Sequence, residues 1–501
     1  MQKESPKTTP HQKKNRHQKI HATRSSKKNR RQHRQAKRRR RRQHFTPLPG
    51  PIRRICGALL DAFMSAFCRP TYERFVLLLF AAILTTGPRT ILNLLRLAPA
   101  LMPGHPSSYH RVFSHRPWSI WFLARALAGF IIKRWLPTGT IHVVGDDTVT
   151  QHTGDNVYGK GCHRDAVQSS KAYTAFCWGH KWVVLAILVK FSFATRPWAL
   201  PVMAALYRSK EWYKTHGRRH KTPVMLVRQM LAALSHWFPD RHFVFTGDGN
   251  FAAHELARFG QRHQRRLTIV SRFYPDAGLY ELPPVKKVKK GKKGSGRPRV
   301  KGKKMLKPEE VVAKTRRRQH LNVAWYGGGR RDVSVVTGFG HWYQAGCGLV
   351  ALRWVFVHDR SGTHRDEYFF STTVTMSAQE IIESYTGRWN IETTFQEMRS
   401  QLKLETSRGW TEKTVLRVEP CLFGLYAVIA VWYAELPARW RQERGLEWAG
   451  KKEVTFSDAI TAVRRWLWVE WVFSNPAHRS ALAKIPKSLL ESLLRGLAPG
   501  S

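Results

Sequence analysis

The rhythm of apolar and polar positions changes several times along this chain. Residues 1 to about 44 are Lys, Arg, Gln, His and Ser with almost nothing apolar. Such a segment cannot bury enough surface to offset the entropy of ordering it, so residues 1–50 are expected to form a disordered basic tail. Residues 55–135 follow a helical rhythm. There, "ERFVLLLFAAIL" predicts an apolar helix, Gly87–Pro88 a break, and Arg89 to Leu97 a second helix. Two short helices across a tight turn fit a helix-turn-helix offering Arg89, Thr90, Asn93 and Arg96, and fit a plain core hairpin equally well.

From Ile141 the rhythm turns to strands. "IHVVGDDT", "HKWVVLAILVKF" and "WALPVMAALY" are strand-length apolar runs, and 222–238 is an amphipathic helix. "HFVFTGDGNF", "AAHELARFGQRH" and "RLTIVSRF" then read as strand, helix and strand. Three strands, a helix, then strand–helix–strand predicts an α/β fold with a mixed sheet in a ribonuclease H-like arrangement. Its first part spans 140–273 and its second 371–435. Between them, 274–370 reads as a β-rich insertion entered through a flexible basic loop at 285–304, and 436–501 reads as a helical C-terminal region.

The second part opens on the most patterned stretch of the chain. Ser377 followed by Glu380 fits a capping box, and one helix is expected from there to about residue 403. At roughly 100° per residue, Tyr385, Arg388, Glu392 and Arg399 fall within about 40° of Glu392 and form one stripe. Ile391, Phe395, Met398 and Leu402 form a neighbouring apolar face. Taken alone, the stripe describes an ordinary surface helix with salt-bridge partners.

Charge changes that picture. The formal net charge is +53. Residues 1–50 hold 18 Lys or Arg against the single acid Glu4, and Lys286 to Lys304 hold 11 with no acid, yet the remaining body is still basic. A polyanion partner follows, nucleic acid before an anionic membrane surface. Six cysteines without a C-x-x-C pair fit a reducing, cytoplasmic compartment and argue against a zinc knuckle. The longest apolar run, Phe75 to Leu84, is too short to span a bilayer.

Within so basic a chain, acids at strand ends stand out. Asp147 and Asp248 each close a predicted strand, at the edge where α/β sheets collect ligands, and Glu392 lies on the returning helix. Clustered carboxylates repel unless a cation neutralises them. Two Mg²⁺ or Mn²⁺ ions about 3.5–4 Å apart would do so while serving phosphodiester chemistry. Asp146 and Asp147 point to opposite faces of a strand, and periodicity does not choose between them.

"GDDT", "FTGDGNF" and "YTGRWNIETTFQEMR" together resemble the DDE transposases of bacterial insertion sequences. The subgroup is the one marked by Tyr, two residues, Arg, three residues, Glu, six residues, Lys. Tyr385, Arg388 and Glu392 keep that spacing, and Arg399 replaces the Lys. The resemblance implies that the first catalytic Asp precedes a Thr, which selects Asp147, and that Asp147, Asp248 and Glu392 hold the metal ions. It implies that Tyr385, Arg388 and Arg399 hold double-stranded DNA, that a homodimer joins two transposon ends, and that cleavage is followed by strand transfer into target DNA. A structure-specific nuclease on the same fold and an inactive transposase-derived DNA-binding protein are the alternatives.

Overall fold

Five α-helices lead into the sheet: α1 (Gly50–Met64), α2 (Arg69–Leu84), α3 (Ile91–Leu97), α4 (Pro106–Ser114) and α5 (Ile120–Trp135). The structure is a computed structural model that describes residues 48–165, 168–170, 172–284, 299–442, 451 and 453–499. The expected basic tail up to residue 47, and residues 285–298 of the basic loop, lie outside the described residues. Helix α2 is apolar on every face and is buried from Phe75 to Leu84. Its carbonyl end is capped by two arginines. Arg89 donates from Nε to the Ala82 carbonyl (2.9 Å) and from Nη2 to Thr85 (3.0 Å). Arg464 donates from Nε to Ile83 (2.8 Å). Thr90 accepts the Asn93 N–H, and Asn93 donates to the Pro88 carbonyl. Arg89, 4 % exposed, is therefore not offered to a partner, because the helix end it caps and the Gln401 carbonyl both consume it.

The sheet begins with β1 (Ile141–Gln151), β2 (Gly161–Arg164), β3 (Phe176–Val189) and β4 (Trp198–Tyr207). Helix α6 (Pro223–Trp237), β5 (Phe243–Gly247), α7 (His254–Arg262) and β6 (Leu267–Arg272) follow. Strand β3 lies between β1 and β4, antiparallel to both, while β5 is parallel to β1 and β6 is parallel to β5. The mixed order β4-β3-β1-β5-β6 results.

The region read as an insertion contributes β7 (Leu279–Tyr280), β8 (Gln319–Ala324), β9 (Arg330–Gln344), β10 (Gly348–Asp359) and β11 (Glu367–Ser371). These strands continue the same sheet, because β11 pairs antiparallel with β6 and β10 with β11. Among the described residues the sheet has eleven strands.

The returning segment is two helices, α8 (Ala378–Gly387) and α9 (Asn390–Leu402). The capping box forms: Ser377 Oγ accepts the Glu380 N–H (3.2 Å) and the Glu380 carboxylate accepts the Ser377 N–H (2.8 Å). The expected single helix is interrupted at 388–392. There the N–H groups of Arg388, Trp389, Ile391 and Glu392 reach back three residues, a tightened 3₁₀ turn. Ile391, Phe395, Met398 and Leu402 are all buried. On α8, Ile381, Ile382 and Tyr385 pack with Val244, Val270, Val355 and Phe369 of the sheet.

Helix α10 (Glu412–Glu435) follows, then α11 (Phe456–Leu467). By length and composition alone α10 could cross a membrane; in this fold 67 % of its most apolar stretch is buried, against β4, α5 and α11. All six cysteines are free.

Gly145 and Gly247, each preceding an aspartate, face one another in the β1–β5 register. A Cβ on Gly145 would lie 2.6 Å from the buried Phe245 ring, and one on Gly247 2.7 Å from Phe251 Cβ. Gly145→Ala is expected to lower stability by about 1–3 kcal/mol through overpacking. The measurement is a fall in the urea midpoint at unchanged slope; an unchanged midpoint would show that Phe245 yields freely.

Candidate active site

The parallel pairing of β1 with β5 ends at Gly145 and Gly247, so Asp146, inside β1, and Asp248, just past β5, stand at the same level. The expected strand end at Asp147 is not found: β1 runs on to Gln151 because β3 continues to pair with it. Asp248 caps a short 3₁₀ turn. Its Oδ1 accepts the Asn250 N–H and its Oδ2 the Asn250 side-chain amide, both at 3.0 Å. Ser271 of β6 donates to the carbonyls of Gly247 (3.0 Å) and Asp248 (2.8 Å), fixing the turn to the next strand.

One guanidinium joins this edge to the helices. Arg388 donates from Nη1 to Asp146 Oδ2 (3.0 Å) and from Nη2 to Glu392 Oε1 (2.8 Å). Asp146 Oδ1 accepts the Asp147 N–H (2.7 Å), so both oxygens of Asp146 are engaged. Successive side chains of β1 alternate, and Asp147 turns the other way, where Lys181 Nζ lies 3.0 Å from its Oδ1. Asp146, Arg388 and Glu392 are thus in contact, Asp248 stands level with Asp146 just past the neighbouring strand, and Asp147 faces the opposite side of β1.

The electrostatics follow from burial and crowding. Burial lifts the Asp146 carboxyl to about 7; the Arg388 charge opposes the rise, and Asp248 and Asp147 add to it. Asp248 is raised in the same way, by burial and by the charge of Asp147, against Arg388. Burial works against the charge of Arg388, but Asp146 and Glu392 hold its proton more tightly than usual. Lys181 and Arg388 are the cations that compensate these acids.

Tyr385 is 2 % exposed and stacks on Phe369 with ring centroids 4.2 Å apart. The Arg388 guanidinium lies 5.7 Å from its ring centroid, so Tyr385 forms the floor beneath Arg388. It does not share the solvent-facing stripe expected of one straight helix. Arg399 donates to Thr148 Oγ1, on the same side of β1 as Asp146.

Sequence reasoning did not anticipate three further charges. Lys181 could have been noticed as a lone cation within an apolar strand. Arg272, whose Cδ lies 3.7 Å from where a Cβ on Gly249 would sit, pairs with the buried Glu367. Arg272 and Glu367 stand on the neighbouring strands β6 and β11, and nothing local in the sequence links them.

With this geometry in view, comparison with known proteins gives a family. A sequence profile described as DDE superfamily endonuclease matches residues 62–332, more than half of the chain. The chain belongs to the DDE superfamily endonucleases. The match takes in Asp147 and Asp248 and ends before the helix that carries Glu392. No curated protein matches the chain. Among solved structures, the piggyBac transposase synaptic complex with hairpin DNA aligns over 89 % of this chain and 82 % of that one. The identity is 11 % and the TM-score 0.38, a likeness too distant to bear on chemistry or partners.

DDE endonucleases generally use divalent metal ions. The acids at this edge are all oxygen donors, the chemistry that Mg²⁺ and Mn²⁺ prefer, and the raised Asp146 and Asp248 are groups that added positive charge would relieve. Among the described residues, no three His, Cys, Asp or Glu side chains are grouped to hold an ion as the protein stands. Arg388 lies between Asp146 and Glu392 instead. The donor set fits a hard divalent cation, and Lys181 and Arg388 provide the compensating charge without one.

Arg388→Ala is expected to destabilise by about 3–5 kcal/mol, because it leaves a buried carboxylate unpaired. Adding Asp146→Ala should recover part of that loss in a double-mutant cycle. Additive losses would show that the pair is not coupled.

Proposed function

We propose that this DDE endonuclease is a transposase that binds the terminal repeats of an insertion sequence, cleaves there and joins the end to target DNA. The observation that carries the proposal is the Arg388 bridge, which brings an acid of β1 and an acid of α9 to the strand edge that also bears Asp248. The order β4-β3-β1-β5-β6, three antiparallel strands followed by two parallel ones, supports a ribonuclease H-like core. The spacing of Tyr385, Arg388, Glu392 and Arg399 supports the insertion-sequence subgroup.

In this proposal Asp147, Asp248 and Glu392 hold two Mg²⁺ or Mn²⁺ ions. When bound, such ions supply positive charge that activates the attacking oxygen and stabilises the leaving one. Asp146, engaged through both oxygens, positions Arg388. Arg388 and Arg399 present guanidinium groups to the phosphates, and Tyr385 braces Arg388 from beneath. In cleavage, a water oxygen bonds to phosphorus and the P–O3′ bond breaks, leaving a 3′-hydroxyl and a 5′-phosphate. In transfer, that hydroxyl attacks a phosphorus of the target strand and displaces a new 3′-hydroxyl. Both are in-line phosphoryl transfers without a covalent enzyme intermediate. Two ends must meet, so the working form is a homodimer on double-stranded DNA, in the cytoplasm at the nucleoid.

The endonuclease description alone favours a second reading, a nuclease that cleaves without joining. Incubation with DNA flanking the gene, a target plasmid and Mg²⁺ separates the two. The transposase yields joined products, and Asp147→Asn or Asp248→Asn brings both cleavage and joining below detection. Asp146→Asn leaves a reduced activity. Cleaved ends without joining would support the nuclease. An inactive Asp146→Asn beside an active Asp147→Asn would exchange the roles of the two aspartates. Activity indifferent to all three substitutions would end the catalytic reading.

A further inference from the structure

Beyond the end of β1, strand β3 continues outward beside β2, with the His152 N–H still donating to the Trp178 carbonyl (3.0 Å). The register sets Arg164 against Phe176 and Cys162 against Trp178. Residues two apart on a strand share a face, so these four side chains stand on one side of a two-stranded ribbon. Phe176 is 66 % exposed and Trp178 61 %, an unusual outlay of aromatic surface. Lys160 Nζ lies 5.6 Å from the Trp178 ring centroid and 4.0 Å from Asp155 Oδ1.

We propose that this ribbon is a stacking platform for unpaired bases of the DNA strand being processed. The inference rests on the DNA-processing reading above and adds the form of DNA that the protein holds. Position supports it. Asp146 pairs with Val184 of β3, and Trp178 lies six residues further out on the same face of that strand, the face that also carries Thr148, the partner of Arg399. At about 3.3 Å per residue the separation is roughly 20 Å, or about six nucleotide steps. Chemistry supports it as well: flat rings with cations alongside recognise any base whose face is uncovered, and paired, stacked bases keep their faces covered. A second copy of the chain fits less well. Two partly exposed rings offer about 200–300 Å², well below the roughly 800 Å² per partner of a stable protein interface.

The test uses the full-length chain and two probes, a short blunt duplex and the same duplex with a single-stranded thymidine extension. Phe176→Ala/Trp178→Ala should weaken binding to the extended probe by about tenfold or more while the blunt duplex changes by less than about twofold. Phe176→Tyr/Trp178→Phe should restore the preference, and an unchanged thermal melt shows that both variants fold. Equal loss on the two probes, or no loss on either, overturns the platform while leaving the transposase reading in place. A wild-type protein that binds neither probe overturns both. Conversion of a dimer to a monomer with unchanged binding to the extended probe would make the ribbon a subunit contact and also overturn the inference.

Discussion

The bifurcated ion pair of Arg388 holds the acidic edge together. Its two nitrogens hold Asp146 of β1 and Glu392 of α9, residues far apart in sequence, and its charge is what allows several carboxylates to lie near one another in a partly buried place. Without it, burial and mutual repulsion would favour protonation or separation of the acids. The surrounding structure is arranged to present this side chain. The 3₁₀ turn at 388–392 swings the guanidinium toward the sheet. Tyr385 and Phe369 support it from below, and the buried stripe of α9 fixes the helix that carries Glu392. Removing the apolar packing would release the guanidinium, and removing the guanidinium would leave the packing with an unbalanced charge.

The acids must also be understood against the rest of the chain. A protein with a formal charge of +53 draws polyanions toward its whole surface. A small acidic site within that field would repel a phosphate at the point of reaction unless cations covered it. Lys181 and Arg388 place positive charge on these acids, at Asp147 on one face of β1 and at Asp146 and Glu392 on the other. On the proposed function, long-range attraction and local chemistry would fall to different residues, the basic body for capture and the sheet edge for reaction.

Much of this was visible in the sequence where local chemistry decides. The Ser377–Glu380 box, the apolar stripe from Ile391 to Leu402 and the end of β5 at Gly247 before Asp248 depend on near neighbours and formed. Strand β1, by contrast, continues past Asp147 to Gln151 because β3 goes on pairing with it. Distant contacts account for the rest. Arg89 fitted a helix-turn-helix and a core hairpin equally, and its bonds to the carbonyl end of α2 and to the Gln401 carbonyl, distant in sequence, bury it. Tyr385 belongs to the same helical stripe as Arg388 only if the helix runs straight, and no Pro announces the tightening after Gly387. The β-rich region joins the main sheet through β11, a pairing of residues about a hundred positions apart. The signature spacing identified Glu392, but the pairing of Arg388 with Asp146 and of Lys181 with Asp147 needed the three-dimensional register of β1.

On the proposed function, acids on three separate elements would together hold a divalent cation. Titrating the full-length protein with Mn²⁺ and following free Mn²⁺ by electron paramagnetic resonance examines that directly. Saturable binding to the wild-type chain, lost in Asp248→Asn and lost equally in Glu392→Gln, is the expected result. Binding to either variant with wild-type affinity would contradict it, because the strand edge and the helix would then not share a site.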